Sequence, residues 1–329
     1  MTWLTWRQFR IPAASVFAGL AVIGVILVIS RPDLIGRTDY SDQDVLYGGT
    51  VLALYLLPAV IGVFWGVPLV TRELESGTHS LIWNQTITRK QWLTTKLGVG
   101  VLTAMVAAGL LGLVVTWWAS PIDAAANQQT DLELLTRLSP VVFAARGIVP
   151  IGYAAFAFVL GVAVGMVLRR TMAAMAVTLV VFAAVMLAVP FLVRPYLVPA
   201  VEQTLAITPD KIRGIHGSDS VGVEEITLAN PPGAWVLTNE TVDSNGNAVS
   251  PLPDIVQHCM PRPGADRVPV EPGSVNECMA QLAEHGYKQR LTYQPASHFW
   301  PLQWLETALF LALSALLTWF CFRRLRHLS

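Results

Sequence analysis

Long apolar runs separated by short polar ones organise this chain. Six stretches, residues 11–29, 49–70, 97–118, 147–168, 173–192 and 302–320, are almost continuously apolar. Each has about the 20 residues that a helix needs to cross roughly 30 Å of hydrocarbon. None contains Asp, Lys or Arg, and the single charge inside them is Glu306, near one end of the last run, expected there as an interfacial carboxylate in water. Pro58, Pro68 and Pro190 should kink or end their helices. Arg7 and Arg10 precede the first run as they would in a secretory signal. That run is too long and lacks a small-residue cleavage site, so it reads as a retained span. The pattern predicts an all-α polytopic membrane protein with six transmembrane helices.

The polar segments differ in character. In residues 1–10, Trp3, Trp6 and Phe9 fall toward one side at helical spacing, beside two arginines. This suits a short entry helix lying in the membrane interface, with Trp3 and Trp6 as anchors. Trp300 and Trp304 anchor the start of span six in the same way. Residues 71–96 form the longest polar link on the side of the termini. Ser76-Gly77 breaks the helix there, and Thr88 caps a new one running through Trp92 and Lys96 into span three. From 194 to 299 Pro, Gly, Asn, Asp and Glu become frequent, which predicts a small mixed domain between spans five and six. Its Asp-Ser-Asn-Gly-Asn stretch at 243–247 reads as a hairpin tip. The chain divides accordingly into 1–193, 194–299 and 300–329.

Composition sharpens the picture. Of 329 residues 53% are hydrophobic and 13% charged, where an ordinary soluble domain carries roughly a quarter charged. The formal net charge is zero, which argues against a nucleic-acid partner. Placed on the six spans, that zero separates by side. The segments 1–10, 71–96, 169–172 and 321–329 hold eleven basic residues and two acidic ones, a balance of about +9, and the remainder balances it. Basic short loops stay in the cytoplasm, so both termini should be cytoplasmic and 194–299 extracytoplasmic, in a plasma membrane. Cys259 and Cys278 both lie in that exported segment, and an even pair in an oxidising compartment suggests a disulfide. A loop of this length would add about 3 kcal/mol. Two unpaired thiols are the alternative.

Chemistry is sparse. No buried acid or base suggests an ion relay. The six histidines are scattered, and a metal site from His258, Cys259, Cys278 and His285 explains the cysteines less simply than the disulfide. No catalytic constellation and no metal are expected. A phosphate-binding Gly-x-x-x-x-Gly-Lys-Ser/Thr string is missing as well. This chain should therefore bind no cofactor, and any ATP and Mg must be bound by a partner.

Glu73, Gly77 and Thr78 after span two, followed by Thr88-Arg89 and Lys96 before span three, resemble the type-two class of ABC transporter permeases, in particular those of actinobacteria. The family's usual proline before the Ser/Thr-Arg pair is replaced by Thr86-Ile87. The resemblance implies a six-span exporter subunit whose 71–96 segment, with Glu73, Glu75, Gly77, Thr78, Thr88, Arg89 and Lys96, couples to a separate ABC ATP-binding subunit. It also implies pairing with a second permease copy or a paralogue in the membrane lipid. The expected cargo is an amphipathic, peptide or lipid-like substrate. The alternative is a mechanotransmitting sensor or scaffold whose extracytoplasmic domain binds an envelope or peptide partner without transport.

Overall fold

The computed structural model describes residues 2–35, 44–76, 88–126, 136–218, 222–252 and 281–325. Six helices are long and apolar enough to cross a membrane: Arg10–Leu34, Asp44–Glu75, Arg89–Trp118, Val149–Leu168, Thr171–Leu192 and Ala296–Leu325, spans one to six. The chain is a multi-pass membrane protein, and the six apolar runs lie on these helices apart from Gly147 and Ile148, which form the turn before span four. Two boundaries differ from the sequence reading. Span two continues to Glu75, so the first turn of the 71–96 segment is the end of that helix. At the other end of the chain, residues 2–9 do not form a separate entry helix, because Thr2–Ser30 is one helix with Pro12 in its interior.

The chain divides into two compact units. The larger consists of Met1–Ala125, Ser139–Val198 and Phe299–Ser329. Span four is its centre: 78% of its most apolar window is buried, against 11% for span one. It packs on spans two, three, five and six, whereas span one lies mainly along span three. Small residues make this possible, since Gly152, Ala154, Ala155, Ala157, Gly161, Ala163 and Gly165 let neighbouring backbones approach closely. Span two meets it with a π-helical segment, Ile61–Gly66, in which the Val67 N–H donates to Gly62 O at 3.1 Å. The cause is Pro68. Its ring would strike the carbonyl four residues earlier in a regular helix, and the wider turn removes that clash. A Cβ at Gly62 or Gly161 would run into the facing backbone of span four or span two, respectively.

Spans four and five are joined by Arg169-Arg170 alone. Arg169 ends span four in the left-handed region, φ 55°, and its N–H donates to Gly165 O at 3.0 Å.

The smaller unit takes Ala126–Leu138 and Pro199–His298. Residues 194–198, which the sequence placed with it, belong to the helical unit. Strands β1 (Val201–Leu205), β2 (Ile212–Ser218), β3 (Gly222–Leu228), β4 (Trp235–Val242) and β5 (Lys288–Gln294) form two antiparallel sheets. One has the order β1-β5-β4 and the other is the hairpin β2-β3. A thin core of Ile207, Ile226, Leu228, Leu252 and Leu282 fills it. Buried Gln289 ties the pieces together, donating to Ile226 O at 2.8 Å and Asn239 Oδ1 at 2.7 Å while accepting from Thr241 Oγ1 at 2.9 Å. Residues 243–247 are the expected hairpin tip. The Asn247 carbonyl accepts from Asp243 N, and Val242 bridges to Ala248. Cys259 and Cys278 lie outside the described residues, and Cys321 is a buried free thiol on span six.

Candidate functional site

Of the polar residues singled out between spans two and three, Glu73, Glu75 and Lys96 lie at the base of that link. The last turns of span two, Pro68–Glu75, carry Thr71 and Glu73 inward and Glu75 to the surface. Glu73 pairs with the buried Lys96 at the head of span three. Lys96 Nζ also donates to Leu69 O at 3.1 Å and lies 4.7 Å from the centre of the Trp92 ring. The two ends of the link are thereby closed on each other by a largely desolvated ion pair. One-sided removal of such a pair is costly because it strands the other charge.

Glu75 reaches a third helix. Its carboxylate accepts from Thr171 N at 2.6 Å and from Thr171 Oγ1 at 2.7 Å, which caps the first turn of span five. An anion at a helix N-terminus meets unpaired N–H groups and the positive end of the dipole. Thr171 Oγ1 in turn contacts Thr71 Oγ1 at 2.9 Å. Thr88 caps span three as expected, its Oγ1 accepting from Gln91 N at 3.2 Å. Arg89 is exposed beside it, in a cleft formed with Lys90, Phe322 and Leu325 at the far end of span six. Gly77 and Thr78 lie outside the described residues.

A second polar cluster sits at the opposite ends of the spans. Glu306 is not a carboxylate in water. It is fully buried and held by Arg194, also fully buried, through Nε–Oε2 at 2.8 Å and Nη2–Oε1 at 3.1 Å. Tyr153 donates its hydroxyl to the same carboxylate, Arg194 Nη1 donates to Pro140 O at 3.0 Å, and the Phe143 ring faces the guanidinium at 4.3 Å. Spans four, five and six are thus pinned together. Sequence reasoning gave Glu306 to water because it is near a span end, yet the only acid inside six apolar runs needed a base, and Arg194 is two residues past span five. Close by in the chain, Gln303 Oε1 accepts from Ile148 N at 2.9 Å and Val149 N at 3.0 Å, which caps span four. Arg146 is fully buried 3.7 Å from Asp123 and faces the Tyr47 ring.

Trp300 and Trp304 are half or more exposed on span six, while the side chains of Trp3 and Trp6 are outside the described residues. Among the described residues no group of His, Cys, Asp and Glu could hold a metal ion. The geometry carries polar ties between helices at both membrane faces.

Residues 36–194 match the model of the family described as ABC-2 membrane transporter related. No curated protein and no solved structure matches the chain. The matched region spans Glu73, Glu75, Lys96, Thr171 and Arg194, and members of this family work with an ATP-binding partner. Over residues 36–194, just under half of the chain, the match supports an ABC-2 type permease, a membrane subunit of an ABC transporter.

Proposed function

We propose that this permease exports an amphipathic, peptide or lipid-like substrate, with both termini in the cytoplasm and two ATP-binding subunits docked on the 71–96 segment of a permease pair. ATP and Mg are bound by those subunits. One observation carries the reading: Glu73 and Glu75, two residues apart, fasten the start of that segment to span three through Lys96 and to span five through Thr171. A displacement of the segment therefore acts on spans two, three and five together. Contiguous polar and packed contacts of this kind are what coupling between distant sites requires. The eleven basic residues counted on the same side support its cytoplasmic placement.

Co-expression with the cognate ATP-binding subunit tests the reading. Arg89→Ala should release that subunit on purification without unfolding the permease. Lys96→Met should retain it but lose substrate-stimulated hydrolysis and transport into inverted vesicles. An ATPase complex indifferent to both changes would sink the assignment. A second reading, force transmission to the strand-containing unit without cargo, draws on the Arg194–Glu306 pair, which joins spans five and six on either side of that unit in the chain. Hydrolysis that responds to an envelope ligand with no vesicle uptake would favour it.

A further inference from the structure

We propose that the groove between spans one, two and three, on the side of the two termini, binds the phosphate of an anionic phospholipid with the first part of its acyl chains. The groove has a volume of about 240 Å³, and Pro12, Phe64, Trp65, Arg72, Glu73 and Lys96 are on its wall. Its charges are unequal in availability. Lys96 is spent on Glu73 and on the Leu69 carbonyl, so that pair contributes a neutral floor. Arg72 is exposed, and among the described residues its guanidinium makes no hydrogen bond or ion pair. One uncompensated cation remains.

The order of groups along span two matches a lipid. Phe64, 60% exposed, comes first, then Pro68, and one turn further Arg72, where the helix leaves the apolar layer. Residues four apart stack on one face, so a chain lying on Phe64 and Pro68 brings its phosphate to Arg72. A planar guanidinium is suited to phosphate oxygens, with several donors in a fixed fork. Arg10 adds a second exposed cation two residues before Pro12 on span one. A free phosphate would find only an exposed guanidinium screened by salt, whereas a bilayer lipid arrives with its apolar part already placed.

The test uses the full-length protein, delipidated in detergent and followed by native mass spectrometry. It is titrated with phosphatidylglycerol or phosphatidylcholine, with inorganic phosphate as a third arm. Wild type should prefer phosphatidylglycerol about five-fold, the effect of one base at an anionic surface. Arg72→Gln should abolish that preference, Arg72→Lys should keep part of it, and Arg323→Gln, at the other end of the chain, should leave it intact. Arg72 is exposed, so its substitution leaves the packing in place, and an unchanged melting temperature checks this. The proposal is overturned if Arg72→Gln retains the preference, if Arg323→Gln removes it equally, or if inorganic phosphate displaces the lipid at matched concentration.

Discussion

Removing one partner of the Arg194–Glu306 pair should destabilise the helical unit far more than removing both. Both side chains are fully shielded, the pair is bidentate, and Tyr153 and the Pro140 carbonyl complete it. Glu306→Leu leaves a guanidinium in an apolar setting with only the Pro140 carbonyl at 3.0 Å and the Tyr153 hydroxyl at 3.5 Å as acceptors. Breaking a buried pair from one side costs about 3–5 kcal/mol, against a near-neutral cost for an apolar replacement of both members. Arg194→Met should cost a similar amount, by stranding the carboxylate on Tyr153 alone. In the double variant, Tyr153 and Pro140 each lose a partner at about 1 kcal/mol apiece, so its cost should be about 2 kcal/mol, less than that of either single change. Equilibrium unfolding in mixed micelles, followed by tryptophan fluorescence, gives the four corners of the cycle. If the double variant loses the sum of the two single losses, the two side chains act independently and the pairing argued here is wrong.

Three further outcomes follow from the geometry. Glu75→Ala removes the cap of span five and should lower stability by about 1 kcal/mol; amide exchange in the first turn after Thr171 should accelerate about five-fold, and unchanged exchange would contradict the cap. Gly161→Ala drives a methyl into the Gly62 backbone and should cost about 1–3 kcal/mol, read by the same unfolding assay, whereas Gly98→Ala, with open space around it, should be tolerated. In the strand unit, the Asn247 and Asn245 amides donate to the Asp243 carboxylate at 2.9 and 2.8 Å and hold its pKa below the usual carboxylate value. A lowered folded pKa means that the stabilisation is complete above the unfolded value of about 3.9 and is lost as pH falls through the folded one. Protection of these two amides should collapse in that acid range in wild type but not in Asp243→Asn, and a flat wild-type profile would refute it.

The spans were legible because hydrocarbon imposes a length and excludes charge, and both constraints are written in linear sequence. The Thr88 cap and the 243–247 turn were legible for a similar reason, being local. What escaped was whatever depended on partners distant in the chain. Glu75 looked like one of two acids in a loop motif, and nothing near it in sequence points to Thr171, 96 residues on. Arg194 looked like the first residue of a polar domain because its partner is 112 residues away. A break in span two was expected at Pro68, but its π-helical form and its depth against span four depend on glycines of both helices meeting, a coincidence visible only in three dimensions.

The same separation of 112 residues sets an order of events during synthesis. At roughly 5–20 residues per second, Arg194 is made some 6–20 s before Glu306 exists. Throughout that interval spans four and five can associate, but the guanidinium must be carried at the membrane boundary by water or by the insertion machinery. Span six brings the counter-charge together with its own apolar face, so the bundle closes only after the whole strand-containing segment has been synthesised. A ribosome-bound chain ending before residue 306 is therefore expected to be an open form that quality-control proteases can recognise.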